Sequence, residues 1–255
     1  MSAMSFDVAA DAYDRFIGRY SRVLSPRFLE FAQIAAGPVL DVGCGPGSLT
    51  SVLAERFGAA GVAAVDPSEP FVAACRARVP GADVRRAPAE ELPFADGAFG
   101  AALSQLVLSF VRDAGRAAAE MRRVTRTGGV VAACSFEANG FELARVCGEA
   151  GRRFDQAAPD DTRLPFRRMP ELVALWERGG FHDIATGTIV IEAGYAGFDD
   201  FWSPLAVGVG PAAGYLVGQS EERRAAIRDA CFEILGRPSS SFSLSARCLA
   251  IRGRV

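Results

Sequence analysis

The stretch Val39-Leu-Asp-Val-Gly-Cys-Gly-Pro-Gly-Ser-Leu-Thr50 puts glycines at 43, 45 and 47, after an apolar run and before a helix-like segment. Glycine lets the backbone turn sharply and lets a ligand lie close over it. Asp41 ends the apolar run beside that turn. A carboxylate there repels a phosphate and attracts an ammonium or sulfonium group. The spacing agrees, because a dinucleotide turn reads G-x-G-x-x-G and Ser48 stands where its third glycine would be. Asp66 closes a second apolar run 25 residues after Asp41, where a carboxylate can accept both ribose hydroxyls. That placement suits NAD equally and does not discriminate.

The elements that must hold these residues alternate between strand and helix. Pro38–Val42, Gly61–Val65, Asp83–Ala87, Phe99–Ser104 and Gly128–Ser135 read as strands. Ser48–Phe57, Pro70–Val79 and Ala114–Thr125 read as helices between them. Continuous apolar strands separated by amphipathic helices predict a parallel sheet covered on both faces, an α/β doubly wound domain. Before it, Phe6–Ala36 reads as two helices broken around Gly18 to Ser25, with Pro26 in the first turn of the second. After it, Gly140–Phe154 and Pro170–Trp176 read as helices, and His182–Ile191 and Ser243–Ile251 as a late antiparallel pair. The long excursion Glu192–Ser241 between those strands holds a helix around Glu221–Leu235. Inserts at the edge of an α/β sheet commonly form lids or substrate walls.

Composition fits one globular domain: half the residues are apolar, 23% are charged, and the net charge is −2. No electrostatic footprint for nucleic acid is expected. The arginine pairs at 122–123, 152–153 and 167–168 are interleaved with acids and read as solvated faces. Six scattered cysteines without a CxxC pair read as free thiols in a reducing cytosol, and no metal site is expected. The first residues lack a basic segment leading into an apolar run, and no window approaches a membrane span. A cytoplasmic protein is expected; the sequence does not fix its oligomeric state.

The chain resembles the class I S-adenosylmethionine-dependent methyltransferases, specifically the small-molecule type 11 group that includes ubiquinone- and menaquinone-type enzymes. VLDVGCGPG matches that family's first motif and AVDPSEPF its ribose segment. Ala87-Pro-Ala-Glu-Glu-Leu-Pro-Phe94, Asp96-Gly-Ala-Phe99 and Met121–Gly129 resemble the later ones, so the likeness covers residues 10 to 136 in family order. The resemblance implies a Rossmann-like, seven-stranded sheet, mostly parallel with an antiparallel last strand. It divides one domain into an N-terminal helical lid (1–36), a cofactor-binding core (37–136), and cap helices and final strands (137–255) with the insert 192–241.

The resemblance also assigns residues. Asp41, Gly43, Cys44, Gly45 and Gly47 belong to the turn beneath the methionine part and adenosine of S-adenosylmethionine. Asp66 binds the ribose, with Pro67 and Ser68 near adenine; Ala89 offers backbone contact to the adenine edge beside Glu90. Ser104 and Gln105 face the methionine portion. Two positions depart from the family. Pro88 stands where an aspartate often accepts the adenine amino group, and Ser109 where quinone-pathway relatives often carry histidine.

Asp11–Ser21 resembles the helix that closes over the cofactor. There Arg19 could pair with the methionine carboxylate, and Tyr13 and Tyr20 could cover the sulfonium. The same residues could instead pack the helix on the core. In the insert, Phe198, Phe201 and Trp202 could line an apolar acceptor pocket or form the cap's own core. Glu137, just after the fifth strand, lies where substrates approach, and is otherwise a solvated acid. His182, the single histidine, reads as structural. The expected reaction moves a methyl group to O, N or C of a small metabolite by in-line displacement, yielding S-adenosylhomocysteine. A catalytic base is not identifiable. The alternatives are a catalytically silent protein that binds the cofactor, and an NAD-dependent oxidoreductase on a related sheet.

Overall fold

A computed structural model describes residues 10–207 and 210–255; residues 6–9 of the expected first helix lie outside them. One seven-stranded sheet organises the chain, in the order β3-β2-β1-β4-β5-β7-β6. The strands are β1 (Val39–Val42), β2 (Val62–Asp66), β3 (Asp83–Arg86), β4 (Phe99–Gln105), β5 (Thr125–Phe141), β6 (His182–Tyr195) and β7 (Phe242–Arg254). All neighbours pair in parallel except β7, which runs antiparallel to both β5 and β6. This is the Rossmann-like arrangement expected, with its single reversed strand.

The sheet is buried because its strands are apolar on both sides. Val130, Ala132, Cys134 and Phe136 of β5 join a core with α2 (Gly18–Ala32), α3 (Ser48–Phe57) and α6 (Glu142–Arg152). Val131 and Ala133 face the opposite way, into a core built on α5 (Ala114–Val124) and α7 (Met169–Arg178). The remaining core helix, α4 (Glu69–Arg78), follows β2. Strand β1 has β2 on one side and β4 on the other. The chain therefore switches direction across the sheet at the carboxyl ends of β1 and β4, where such folds bind ligands.

The N-terminal helices differ from the sequence reading. The break falls at Ile17, between α1 (Ala10–Phe16) and α2, and Pro26 lies inside α2 rather than in its first turn. Burial overrides proline's cost: Tyr20, Leu24, Phe28 and Ala32, spaced by four, are all wholly buried. The Ser25 hydroxyl donates to the Ser21 carbonyl at 2.7 Å, a back-bond of the kind that bends helices. The late strands are longer than expected. β6 continues to Tyr195, paired with Phe242, so the excursion begins at Ala196. It holds α8 (Phe198–Trp202), a helical turn Ser203–Val207, α9 (Gly210–Val217) and α10 (Glu221–Ile234). Because β6 ends and β7 begins beside the carboxyl end of β5, this cap stands on the ligand side of the sheet. No described helix is long and apolar enough to cross a membrane.

Phe28 is the central plug of α2. Phe28→Ala should cost about 3–5 kcal/mol in a denaturant melt, whereas Glu30→Ala on the exposed face should stay within about 0.5 kcal/mol.

Candidate cofactor and acceptor site

The first turn is built on left-handed glycines: φ is 78° at Gly43, 52° at Gly45 and 95° at Gly47. A Cβ at Gly43 would overlap the side chain of Val107, from the loop after β4. A Cβ at Gly47, the N-cap of α3, would come within 2.9 Å of Cys75 Sγ. From below, the N–H groups of Gly43 and Cys44 donate to the Val65 carbonyl at 2.8 and 2.9 Å. Asp66 holds the turn from the side. Its Oδ2 accepts from the Gly45 N–H and its Oδ1 from the Ser68 N–H, each at 2.9 Å. Each oxygen keeps capacity for a further donor.

Asp41 lies beneath the same turn, 1% exposed. Thr50 Oγ1 donates to its Oδ2 at 2.7 Å, and Oδ1 has no partner among the described residues. Burial pushes this carboxyl up to about 7; the Thr50 hydrogen bond opposes that and the charge of Asp66 adds to it. Burial raises Asp66 as well, against its two backbone donors. Beside it, Ser48 Oγ and Gln105 Oε1 are also buried without a partner among the described residues. Asp41, Ser48 and Gln105 all line one cavity of about 20 Å³, closed by Tyr13 and Ser21. Each unmet buried polar atom costs about 1–3 kcal/mol. Two of the three residues supply only acceptor oxygens there, and one carries negative charge, so the cavity suits a ligand rich in N–H donors and positive charge. The ammonium and sulfonium of S-adenosylmethionine meet that description; a pyrophosphate does not.

Around this centre the other expected residues have defined tasks. The Ser104 hydroxyl donates to the Val42 carbonyl at 3.1 Å, tying β4 to β1. Gln105 Nε2 donates to Ser25 Oγ at 3.0 Å, which aims Oε1 into the cavity. The next residue, Leu106, is held left-handed at φ 63° by its N–H bond to the Cys134 carbonyl, a strained geometry of the kind that clusters at ligand sites. Ala89 is buried, and the Pro67 carbonyl accepts from Arg86 Nε at 3.0 Å. Tyr13 packs edge-on against Phe71 of α4, ring centres 5.1 Å apart, and Asp14 pairs with Arg78. Helix α1 is thereby fastened to the core.

Residues 40–133 match the family model of a methyltransferase domain. With relatives named as methyltransferases, this match supports a class I S-adenosylmethionine-dependent methyltransferase. A malonyl-[acyl-carrier protein] O-methyltransferase of Pseudescherichia vulneris is 32% identical over 130 residues, 51% of this chain and 51% of the relative. The chain thus spans about half the length of that relative. The Geobacter sulfurreducens protein of the same name is 29% identical over 186 residues, 71% of this chain and 67% of its own. Among solved structures, a phosphoethanolamine N-methyltransferase of Haemonchus contortus in complex with S-adenosylhomocysteine shares the fold. Its TM-score is 0.56 at 16% identity, over 96% of this chain and 59% of that one.

The structure gives most of the remaining candidates partners within the fold. Arg19 points to the cap: its Nη2 donates to Asp200 Oδ1 at 2.9 Å and its Nη1 to the Gly194 carbonyl at 2.8 Å. Tyr20 is wholly buried, its hydroxyl 2.9 Å from that of Tyr195 and its ring edge-on to Phe136 and Phe141. The Glu90 carboxylate accepts from the N–H groups of Arg112 and Asp113, before α5. Glu137 accepts from Arg247 Nε at 2.6 Å. Phe201 is wholly buried and Phe198 nearly so, stacked on each other within the cap core; Trp202 is half-buried. Phe198 also borders a groove of about 330 Å³ with Arg228, Phe232 and Ser239. Ser109 Oγ donates to the Pro165 carbonyl at 2.8 Å, closing a loop over the end of β4. That loop delivers Arg167, 4% exposed, to the end of β5, where its Nη1 donates to the Phe136 carbonyl at 3.4 Å. His182 begins β6 at the opposite end of the sheet.

Sequence reasoning overlooked Ser21, Ser48, Asp200 and Tyr195, and it read Arg167 as solvated where the structure buries it at the end of β5. Ser48 had a signal, since it occupies the missing third glycine position. Asp200 and Tyr195 sit inside the aromatic stretch, where attention went to the apolar rings.

Asp41 gives cofactor binding a pH dependence. A cation beside Oδ1 favours the ionised form, so affinity should rise about tenfold per pH unit below about 7 and level off above it. Calorimetry with S-adenosylmethionine from pH 5.5 to 8.5 measures this, and Asp41→Asn should flatten the curve at low affinity. Without ligand the sign reverses. Because the folded pKa is raised, Asp41's contribution to stability is fully present below its unfolded pKa and lost as pH rises through about 7.

Proposed function

We propose that this protein transfers the methyl group of S-adenosylmethionine to an ionised oxygen of a small organic acid. The observation that carries the cofactor assignment is the convergence of Asp41 Oδ1, Ser48 Oγ and Gln105 Oε1, all buried and unmet, on one cavity above the glycine turn. When bound, the cofactor supplies a methyl group on sulfur that is already activated for displacement. The chain's own residues supply position. Asp41 and Gln105 would hold the charged amino-acid end, Asp66 the ribose hydroxyls, and Tyr13 would keep water out from above, pressed on Phe71. Alignment and exclusion of water supply much of the acceleration of an in-line transfer.

The acceptor side offers donors. Tyr20 and Tyr195 share one hydrogen bond between two hydroxyls, which leaves one hydroxyl proton for a further acceptor atom. Arg167 brings a buried guanidinium to Phe136, its Cζ 5.7 Å from the ring centre. Phe136 stands two residues beyond Cys134, the strand partner of Gln105, about 7 Å further along β5. An acceptor that arrives as an anion suits that hydroxyl proton and needs no base: sulfur gives up the methyl carbon, the acceptor oxygen takes it, and no proton has to leave. The relatives named as O-methyltransferases support the same atom type. The six cysteines, buried and unlinked, suit a reducing compartment such as the cytoplasm.

Incubation with S-adenosylmethionine and a panel of carboxylic acids, phenols and amines should release S-adenosylhomocysteine with the acids, and mass spectrometry should find the methyl on oxygen. Turnover confined to amines would overturn the acceptor assignment. Asp66→Ala should weaken S-adenosylhomocysteine by about 1–3 kcal/mol in calorimetry; unchanged affinity would remove the ribose role.

A further inference from the structure

Two thiols meet beneath the cofactor turn. Cys44 stands between Gly43 and Gly45, and Cys75 comes from the inward face of α4, beside Phe71 and Val72. The two cysteines share a small buried cluster with Ala64, Val72 and Val84. The Cys44 thiol donates to the Cys75 sulfur, and that bond holds the Cys75 thiol below its ordinary range. Cys75 in turn donates to Thr50 Oγ1 at 3.5 Å, and Thr50 is the group that donates to Asp41. The turn rides directly on α4 at this point. A Cβ on Gly47 would lie 3.3 Å from the Cys75 Cα as well as 2.9 Å from its Sγ.

Buried thiols are ordinarily inert, and access sets this pair apart. Cys44 borders the same cavity as Asp41, Ser48 and Gln105, a space of about 20 Å³ with room for about one water molecule. A small oxidant reaches the Cys44 sulfur through the space the cofactor would occupy, and bound cofactor blocks it. Cys147 of α6 and Cys231 of α10 also hydrogen-bond to each other. Neither is among the described residues that border this cavity.

We propose that Cys44 and Cys75 form a redox-modification site, joined as a disulfide by peroxide when cofactor is absent and protected when it is bound. The Cys44 sulfur takes one oxygen from the peroxide, giving a sulfenic acid and one water. The Cys75 sulfur then displaces that hydroxyl, which leaves with the Cys75 proton as a second water. Two thiols lose two electrons, and one peroxide gains them. Bond formation brings the sulfurs much closer than a thiol hydrogen bond does, so Cys44 is drawn toward α4 with Gly43 and Gly45. The Gly45 N–H holds Asp66, and Cys75 no longer has a proton for Thr50. Both carboxylates of the site lose their setting together, and the cofactor is shut out until a thiol reductant reopens the pair. This inference rests on the reading that the cavity takes S-adenosylmethionine or its product.

The full chain is reduced, freed of reductant, and treated with hydrogen peroxide with and without S-adenosylhomocysteine. Thiols are counted in denaturant, linked peptides are mapped by mass spectrometry, and S-adenosylhomocysteine binding is measured by calorimetry. Without ligand, two of the six thiols should disappear into a single 44–75 linkage. Affinity should fall by about tenfold or more, and dithiothreitol should restore it. Ligand at about ten times its Kd should slow the loss about tenfold. Cys75→Ser, which keeps a donor for Thr50, should bind within about twofold of the wild type and hold that affinity under the same peroxide dose. Cys75→Ala serves where the serine variant fails to fold. Six titratable thiols after treatment, a linkage confined to Cys147 and Cys231, or unchanged affinity in the linked protein would each overturn the proposal. An equal loss of affinity in Cys75→Ser would do the same. No heat from the reduced protein would overturn the cofactor reading, and the switching with it, while the peptide map still reads the linkage by itself.

Discussion

Two carboxylates, Asp41 and Asp66, are buried at the carboxyl ends of the neighbouring strands β1 and β2, held by hydrogen bonds from Thr50, Gly45 and Ser68. Burying negative charge in this way is costly, and both groups respond by shifting toward protonation. The surroundings follow from that constraint. Gly45 of the first turn brings its amide to Asp66; the parallel strands on either side deliver the turn to the sheet's carboxyl edge; Tyr13 and Ser21 of the N-terminal helices line the cavity beside it. A cationic ligand relieves the tension, and a fold that stores it binds that ligand in preference to a phosphate.

The sheet was legible in the sequence because its signal is local. Short continuous apolar runs such as Val39–Val42 and Val62–Asp66 end in turn residues, and no other element buries on two faces in so few residues. The first turn was legible for the same reason, since three alternating glycines and an acid are a property of one stretch. The helix break was misplaced because proline's cost is local and its compensation is not. Phe28 and Leu24 are buried by contacts that no window around Pro26 contains. Arg19 illustrates the same limit more sharply. Its residue type suited a ligand carboxylate, but the carboxylate that holds it comes from Asp200, far along the chain, in a segment whose fold its sequence pattern leaves open.

Lid and cap are built from opposite ends of the sequence, yet share one aromatic layer. Tyr20 packs on Phe136 and Phe141 of β5, and Tyr195 packs on Phe201 and Phe242. The hydroxyl contact between Tyr20 and Tyr195 joins the two halves. Rings of this size give the layer most of its burial, while the polar contacts decide which arrangement of it is adopted. An acceptor site placed against such a layer has apolar walls and a small number of fixed donors, the composition by which pockets select among small molecules.

The pairing of Tyr195 with Phe242 brings both ends of the cap onto adjacent rungs of the sheet. The segment between them can be lengthened, shortened or exchanged without altering a strand register or moving a cofactor residue. In evolutionary terms it is a cassette: one catalytic chassis can be refitted for new chemistry by replacing a single contiguous piece of gene. In the laboratory the same two rungs mark where a foreign loop library can be spliced in.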